Sequence, residues 1–295
     1  MPFERASCSV LTHGLNYGTS VFEGIRAYET RLDEKSIFRN RDHMERFIRS
    51  AKMLRMNMRY DTSELEEAVK QVVLANRESG DFYIRPIAYV GFGGISLDYT
   101  NYPVDVAIGA LSFSSYFDPS KKGLRACISS WRRVSQDSGL PLAKAGGNYL
   151  NSSLAKVEAS TNGYDEAIFL DQQGYVSEGT GENVFAVYRG EILTPPVHQS
   201  ILEGITRDTV SAIATRMGYR VREKPVTRGE LYRCDELFFS GTAAGVAPVV
   251  ELDGRVIGTG EEGSVTRSLR EEYEAVVRGK RSYAENWLTR VSYPK

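Results

Sequence analysis

The chain has 295 residues, 41% hydrophobic and 25% charged, a globular balance that excludes a disordered or collagen-like protein. Its 37 Lys and Arg against 38 Asp and Glu leave a net charge of −1, with no electrostatic footprint for DNA or RNA. No apolar run is long enough to cross a bilayer, Met1–Val10 lack the apolar stretch of a signal peptide, and the length supplies core for one large domain or two modest ones.

In chain order, Ser36–Phe38 is a short strand candidate. A helix follows, with Met44, Phe47, Ile48, Ala51 and Leu54 on one face. Asp61, Thr62 and Ser63 are N-cap candidates for a second helix carrying Leu65, Ala68, Val69, Val72 and Val73. Phe82–Val90 and Val104–Phe113 read as strands. The polar segment Ser114–Gly123, with Pro119, reads as a linker. Beyond it, Leu124–Ser129 is a strand. Asn148–Thr161 is a helix, with Leu150, Leu154 and Val157 expected inward and Gly163 as its stop. Strands are expected at Glu166–Leu170, Tyr175–Ser177, Asn183–Tyr188, Glu191–Thr194 and Glu236–Phe239, and helices at Thr206–Met217 and Val265–Val277. The order lacks a regular βαβ alternation, so the expected class is α+β rather than doubly wound.

The residues that bear metal and redox chemistry are scattered. Cys8, Cys127 and Cys234 form no disulfide framework and no CxxC pair, which points to a reducing cytoplasm. His13, His43 and His198 have no zinc-site spacing. Four other segments carry chemistry. Lys144 lies between small and apolar residues in LPLAKAGGNY. Desolvation favours the neutral amine that attacks carbonyls, although a surface lysine on a glycine-rich loop fits the same residues. SEGTGENVF (from Ser177) places Glu178 on a tight turn, where it could pair with a protonated ring nitrogen or simply belong to an acidic hairpin. LEGITRD (from Leu202) opens a helix at Thr206, whose free N–H groups suit a phosphate as well as an ordinary cap. SGTAA (from Ser240) exposes backbone N–H groups that suit a small anion, or is a small-residue turn. Gly258–Gly263 spell GxGxxG, but only a short helical tail follows. The βαβ context of a dinucleotide site is missing, and the segment reads as a turn and helix start.

Taken together, KAGGNY, SEGTGENVF, LEGITRD and SGTAA occur in this order behind HGLNYGTSVFEGIRAY (from His13), FRNRDHMERF (from Phe38) and YIRP (from Tyr83). The set closely resembles the class IV pyridoxal-phosphate-dependent aminotransferases, and among them the branched-chain amino acid aminotransferases, over nearly the whole chain from Phe3. VFEGIR and YIRP carry the branched-chain pattern.

The resemblance implies a two-domain fold type IV enzyme. It would have a small α/β domain at 1–113, a linker at 114–123 and a larger mixed-sheet cofactor domain at 124–295. It implies Lys144 as the Schiff-base lysine, Glu178 at the pyridine nitrogen and Tyr149 at the ring hydroxyl. Arg39 would hold the phosphate, together with Gly204, Ile205, Thr206 and Thr242. Tyr17, Phe22, Phe113 and Tyr116 would line the side-chain pocket, Tyr83 and the Thr242–Ala243 backbone would receive the α-carboxylate, and Arg85 the distal carboxylate of glutamate. The implied reaction is ping-pong transamination between Leu, Ile or Val and 2-oxoglutarate. In it Lys144 moves the proton from the substrate α-carbon to the cofactor's C4′.

A homodimer or hexamer is implied, with the loop Gly91–Leu97 approaching a neighbouring subunit's site. No metal, nucleic acid or membrane partner is expected. Family members usually carry a leading segment with a short strand before the part matched at Phe3, and some have Trp where Phe113 aligns. The rivals are a D-amino acid transaminase, an amine transaminase and an aminodeoxychorismate lyase of the same fold. A non-catalytic cofactor-binding protein is a rival of a different class, against which the joint presence of Lys144, Glu178, Tyr149 and Arg39 speaks.

Overall fold

Short-range rules account for the first elements of the chain: α1 (His13–Tyr17), β1 (Ser20–Phe22), β2 (Ile25–Arg31), β3 (Glu34–Phe38), α2 (Asn40–Met53) and α3 (Thr62–Ala75). Asp61 accepts from the Glu64 N–H at 2.9 Å while the Glu64 carboxylate accepts from the Asp61 N–H at 2.9 Å, a capping box that sets the start of α3. Met44, Phe47 and Ala51 of α2, with Leu65, Val69 and Val73 of α3, bury one stripe of each helix against Ile25, Ala27, Ile37 and Ile84 of the sheet. The computed structural model describes residues 1–31, 33–118 and 120–293. Pro119 of the expected linker, and Pro294 and Lys295 of the expected second domain, lie outside the described residues.

β4 (Phe82–Val90) and β5 (Val104–Ser112) complete the early strands. In β4, Phe82, Ile84, Pro86, Ala88 and Val90 are buried on one face. Tyr83 and Arg85 therefore stand on the other, because strand side chains alternate. β4 pairs with β2 through Phe82–Ile84 and with β1 through Ile87–Tyr89. Arg85 and Pro86 fall in the gap between the two ladders, where a proline breaks no bond on that side. Glu23 and Gly24 span the gap, and the Glu23 N–H donates to the Pro86 carbonyl at 2.9 Å.

The second unit begins with β6 (Leu124–Arg132) and α4 (Tyr149–Thr161). It continues through β7 (Glu166–Leu170), β8 (Val176–Gly179), β9 (Asn183–Tyr188), β10 (Glu191–Thr194), α5 (Ile205–Arg216), β11 (Arg220–Glu223), α6 (Arg228–Tyr232), β12 (Glu236–Gly241), β13 (Gly245–Leu252), β14 (Arg255–Val256) and α7 (Ser264–Val277). Among the described residues its sheet runs β11-β10-β9-β12-β13-β6-β7-β8, with β14 on β13. Pairing is parallel at β6–β7, β6–β13 and β10–β11 and antiparallel elsewhere. Leu124, Ile168, Val184, Leu237, Phe239 and Val249 form its core. Gly258–Gly263 is a turn leading into α7, as the sequence suggests.

Two expectations are corrected. Leu150, Leu154 and Val157 do not face inward: they are 67%, 39% and 63% exposed, and α4 instead buries Ser152, Ala155 and Ala159. These small residues let the helix lie close on β6 and β7, where Phe169 fills the space that larger helix residues would otherwise take. The division of the chain also differs from 1–113 and 124–295. One compact unit comprises Met1–Ser114, Ala143–Gly147 and Val277–Lys295, and the other comprises Ser115–Leu142 and Asn148–Val276. Ala145 bridges Val21, and β15 (Leu288–Ser292), which the sequence reading missed, pairs antiparallel with β3. Arg278 and Arg26 both reach Asp81, each with a 2.8 Å contact. No helix among the described residues is long and apolar enough to cross a membrane.

Candidate active site

In the first unit the chemistry gathers around Lys144. Its backbone is fixed twice: its N–H donates to Ser50 Oγ at 3.0 Å, and its carbonyl accepts from the Phe22 N–H at 3.0 Å. Its Nζ lies 4.9 Å from the Phe22 ring centroid. The Arg85 guanidinium lies 4.7 Å from the same ring and 5.3 Å from the Tyr83 ring, and its Nη2 donates to Tyr83 Oη at 3.1 Å. Tyr83 in turn packs on Phe113 at 5.3 Å. One aromatic row thus carries an amine at one end and a guanidinium beside it. Arg85 is exposed on its strand, and the ring faces hold its guanidinium.

Helix α2 presents a polar stripe to this region. His43, Arg46 and Ser50 are buried at helical spacing, and Ser50 is the residue bonded to Lys144. Glu23, fully buried, receives Arg46 Nε and Nη2 at 2.7 and 2.8 Å and contacts His43 Nδ1 at 2.7 Å. Burial raises the Glu23 carboxyl, but Arg46 and His43 together outweigh it and hold it well below the usual carboxylate range. Burial pushes the His43 imidazole down against the pull of Glu23, and the Arg46 and Lys144 charges push it further the same way. Arg39, by contrast, caps α2 in a left-handed conformation, gives its Nε to Asp42 at 2.6 Å and lies 5.2 Å from the Trp287 ring.

In the second unit the chemistry gathers around Glu178. Its carboxylate accepts from Arg133 Nε at 2.9 Å, Asn183 Nδ2 at 3.2 Å and the Leu202 N–H at 2.9 Å. Three donors hold it in one orientation. Asn183 Nδ2 also donates to the Leu202 carbonyl at 3.0 Å, so the carboxylate is tied to the loop that starts α5. Gly204 is the N-cap of that helix. A Cβ there would stand 1.9 Å from Asn183 Oδ1, and only glycine lets the backbone pass. The first N–H groups of α5 belong to Ile205 and Thr206, both buried.

Thr242 and Ala243 are half-buried in the turn joining β12 to β13, and Tyr149 is the first residue of α4. Tyr116 is 45% exposed and packs edge-on against Phe117. Tyr17, 46% exposed, stands apart from the Lys144 cluster on α1 and donates to the Ile95 carbonyl at 3.3 Å.

Sequence reasoning gave no site role to Glu23, His43, Arg46, Arg133 or Asn183. Four of them lie inside quoted motifs, VFEGIR, FRNRDHMERF and SEGTGENVF. For Glu23 the overlooked signal was a charged residue inside the apolar run SVFEGI, which needs a partner when buried.

A family model described as Amino-transferase class IV matches residues 20–252. A protein of Aquifex aeolicus named as a probable branched-chain-amino-acid aminotransferase is 44% identical over 294 residues, which is 99% of this chain and 94% of its own. The crystal structure of a branched-chain aminotransferase from Thermoproteus uzoniensis with norvaline is 48% identical, with a TM-score of 0.94, over 98% of this chain and 95% of its own. The crystal structure of a T.th. branched-chain amino acid aminotransferase complexed with N-(5'-phosphopyridoxyl)-L-glutamate is 48% identical, with a TM-score of 0.93, over the same shares. With a lysine, a triply held carboxylate and a glycine-capped helix start standing in the motifs that all these matches cover, the chain belongs to the class IV aminotransferases and, within them, to the branched-chain amino acid aminotransferases.

Proposed function

We infer that the chain transfers the amino group of branched-chain L-amino acids to 2-oxoglutarate, yielding branched 2-oxo acids and L-glutamate, with pyridoxal 5'-phosphate as cofactor. The residues fit that group: a carboxylate oriented by three donors suits a protonated ring nitrogen, and the α5 start, kept open by Gly204, suits a phosphate. When bound, the cofactor supplies an electron-withdrawing ring that stabilises negative charge at the substrate α-carbon. Lys144 Nζ would take the α-proton as general base and deliver it, as general acid, to the cofactor's C4′. Glu178 would hold the ring nitrogen charged, and Tyr149 would hold the ring hydroxyl. Gly204, Ile205, Thr206 and Thr242 bind the phosphate.

The phosphate arginine is Arg46 rather than Arg39. Arg46 lies on the α2 stripe that ends at Ser50 and Lys144, whereas Arg39 is engaged by Asp42 and Trp287. In the first unit we assign Phe22 and Phe113 to the substrate side chain and Tyr83 to the α-carboxylate; in the second, Tyr116 and the Thr242–Ala243 backbone keep the roles that the family resemblance implies.

The observation that carries this reading is the Phe22 ring, shared by Lys144 Nζ and the Arg85 guanidinium. An aliphatic side chain packs on such a ring. The distal carboxylate of glutamate finds Arg85 beside it, and Arg85 falls back on Tyr83 Oη when no carboxylate is present. Arg85→Met keeps the volume and loses the charge. A charged hydrogen bond contributes about 1.5–3 kcal/mol, so the 2-oxoglutarate half-reaction should fall about tenfold to a hundredfold in kcat/KM, with the leucine half nearly unchanged. Single-turnover kinetics of each half measure this, and equal losses remove Arg85 from the substrate site. The whole reading is tested with a donor panel in both enantiomers: activity confined to D-amino acids or simple amines would assign a rival of the same fold.

Self-association as a homodimer or larger is part of the proposal. Val10, Leu11 and Leu15 near α1, and Phe92, Ile95 and Leu97 in the following loop, are at least half exposed. His13 fastens the two segments, with Nε2 3.1 Å from the Ser96 carbonyl. This apolar surface, with Tyr17 on it, fits a second copy better than water. Light scattering should give a dimer or hexamer, and a fully active monomer would refute it. A reducing cytoplasm suits Cys127 and Cys234, whose buried thiols are pushed up to about 11 and about 12.

A further inference from the structure

We propose that Glu182 is a positioning residue that seats the turn carrying Thr242 and Ala243, by filling the space that Gly179 and Gly241 leave empty. The inference rests on the reading of that turn as the seat of the substrate α-carboxylate.

The geometry is specific. Glu182 lies in the turn after β8, immediately before β9, and it is 5% exposed. A Cβ on Gly241 would stand 3.2 Å from Glu182 Cγ, and one on Gly179 would stand 3.2 Å from Glu182 Oε2. The Gly181 N–H donates to Glu182 Oε2 at 3.1 Å, and the Gly179 N–H donates to the Glu182 carbonyl at 2.7 Å. The small residues of SEGTGENVF and SGTAA therefore have a second meaning. Beyond exposing backbone N–H groups, two of them make room for one carboxyl side chain, against which the end of β12 rests. The next ladder pair, Ser240 with Asn183, carries that register to the residue that holds Glu178.

This role needs the neutral carboxylic acid. The carboxyl groups of Glu166 in β7 and Glu178 in β8 disfavour a charge on Glu182, and Lys156 of α4, bonded to Glu166 at 2.8 Å, acts in the opposite sense. Burial first, then Glu166, push the Glu182 carboxyl up to about 8, while the Gly181 N–H and Lys156 pull the other way. Burial and the neighbouring carboxylates thus favour the protonated side chain. Ionisation would bring a third carboxylate into this cluster, next to a turn that must attract a carboxylate.

The test uses 4-methylvalerate, a branched carboxylate without an amine, titrated into the holoenzyme by calorimetry at pH 7 and pH 9. One pH unit above 8, about one Glu182 in ten retains its proton, so wild-type affinity should fall about tenfold between the two. Glu182→Gln, which mimics the neutral acid, should bind as the wild type does at pH 7 and keep most of that affinity at pH 9. Glu182→Ala should raise Kd for 4-methylvalerate and KM for L-leucine at least about fivefold at pH 7, with kcat within about twofold and the cofactor absorbance unchanged. A Glu182→Gln protein that loses affinity as the wild type does, or a Glu182→Ala protein that binds normally, overturns the proposal. Wild-type enzyme that transaminates leucine but binds no 4-methylvalerate overturns the carboxylate reading of the turn and the proposal with it. An enzyme inactive on every amino acid fails on its proposed function instead.

Discussion

Lys144→Ala should reduce transamination by about 10²–10⁴-fold, the scale of a lost general base, and remove the visible absorbance that a lysine-bound cofactor gives at rest. The fold should survive. The segment is held through the Lys144 backbone, by Ser50 Oγ and the Phe22 N–H, and neither bond involves the side chain. The contact of Nζ with the Phe22 ring is worth about 0.5–1 kcal/mol, well within ordinary stability margins. Circular dichroism and a thermal melt check the fold, while single-turnover kinetics and the cofactor spectrum check the chemistry. Full turnover by Lys144→Ala without added amine would end the assignment.

The second large effect separates two arginines of one motif. Arg46→Met should weaken cofactor binding about tenfold to a hundredfold, the value of one charged hydrogen bond to phosphate, whereas Arg39→Met should change it less than about twofold. Arg46→Met also strands Glu23, whose buried carboxylate loses a bidentate partner. Breaking such a pair costs about 3–5 kcal/mol of stability. The double variant Glu23→Gln with Arg46→Met removes that stranded charge. It should recover most of the stability and none of the cofactor affinity. Fluorescence titration of the apoenzyme with cofactor, beside urea unfolding, distinguishes the two losses. If Arg39→Met proves the weaker binder, the phosphate role returns to Arg39.

Much of the local structure was legible because it is written in short-range terms. The β4 strand alternates at period two, the buried residues of α2 recur at helical spacing, and Asp61 with Glu64 spells a capping box. The site was legible in part for a different reason. Lys144, Glu178 and Gly204 sit in small-residue motifs whose chemistry can be named from composition, and a shared set of such motifs carries a family resemblance.

What escaped the sequence depends on partners far along the chain. The pattern of α4 marks an apolar face but not which face meets the sheet. Close packing on β6 and β7 chose Ser152, Ala155 and Ala159 and left Leu150, Leu154 and Val157 exposed. The return of Ala143–Gly147 and of β15 to the first unit rests on pairings with Val21 and with β3 that no local periodicity encodes.

The arginines follow the same division. The sequence reading gave Arg39 the phosphate and Arg85 the distal carboxylate, and passed over Arg46. The fold buries Arg46 on Glu23, engages Arg39 with Asp42 and Trp287, and lays Arg85 exposed over Phe22 and Tyr83. By itself the sequence determined the capped and strongly periodic elements and the inventory of reactive groups, because both follow from neighbouring residues. Tertiary structure alone decided which charges are buried against which, because the energy of a charge is set by the groups and the water around it, and those are assembled only when distant segments meet.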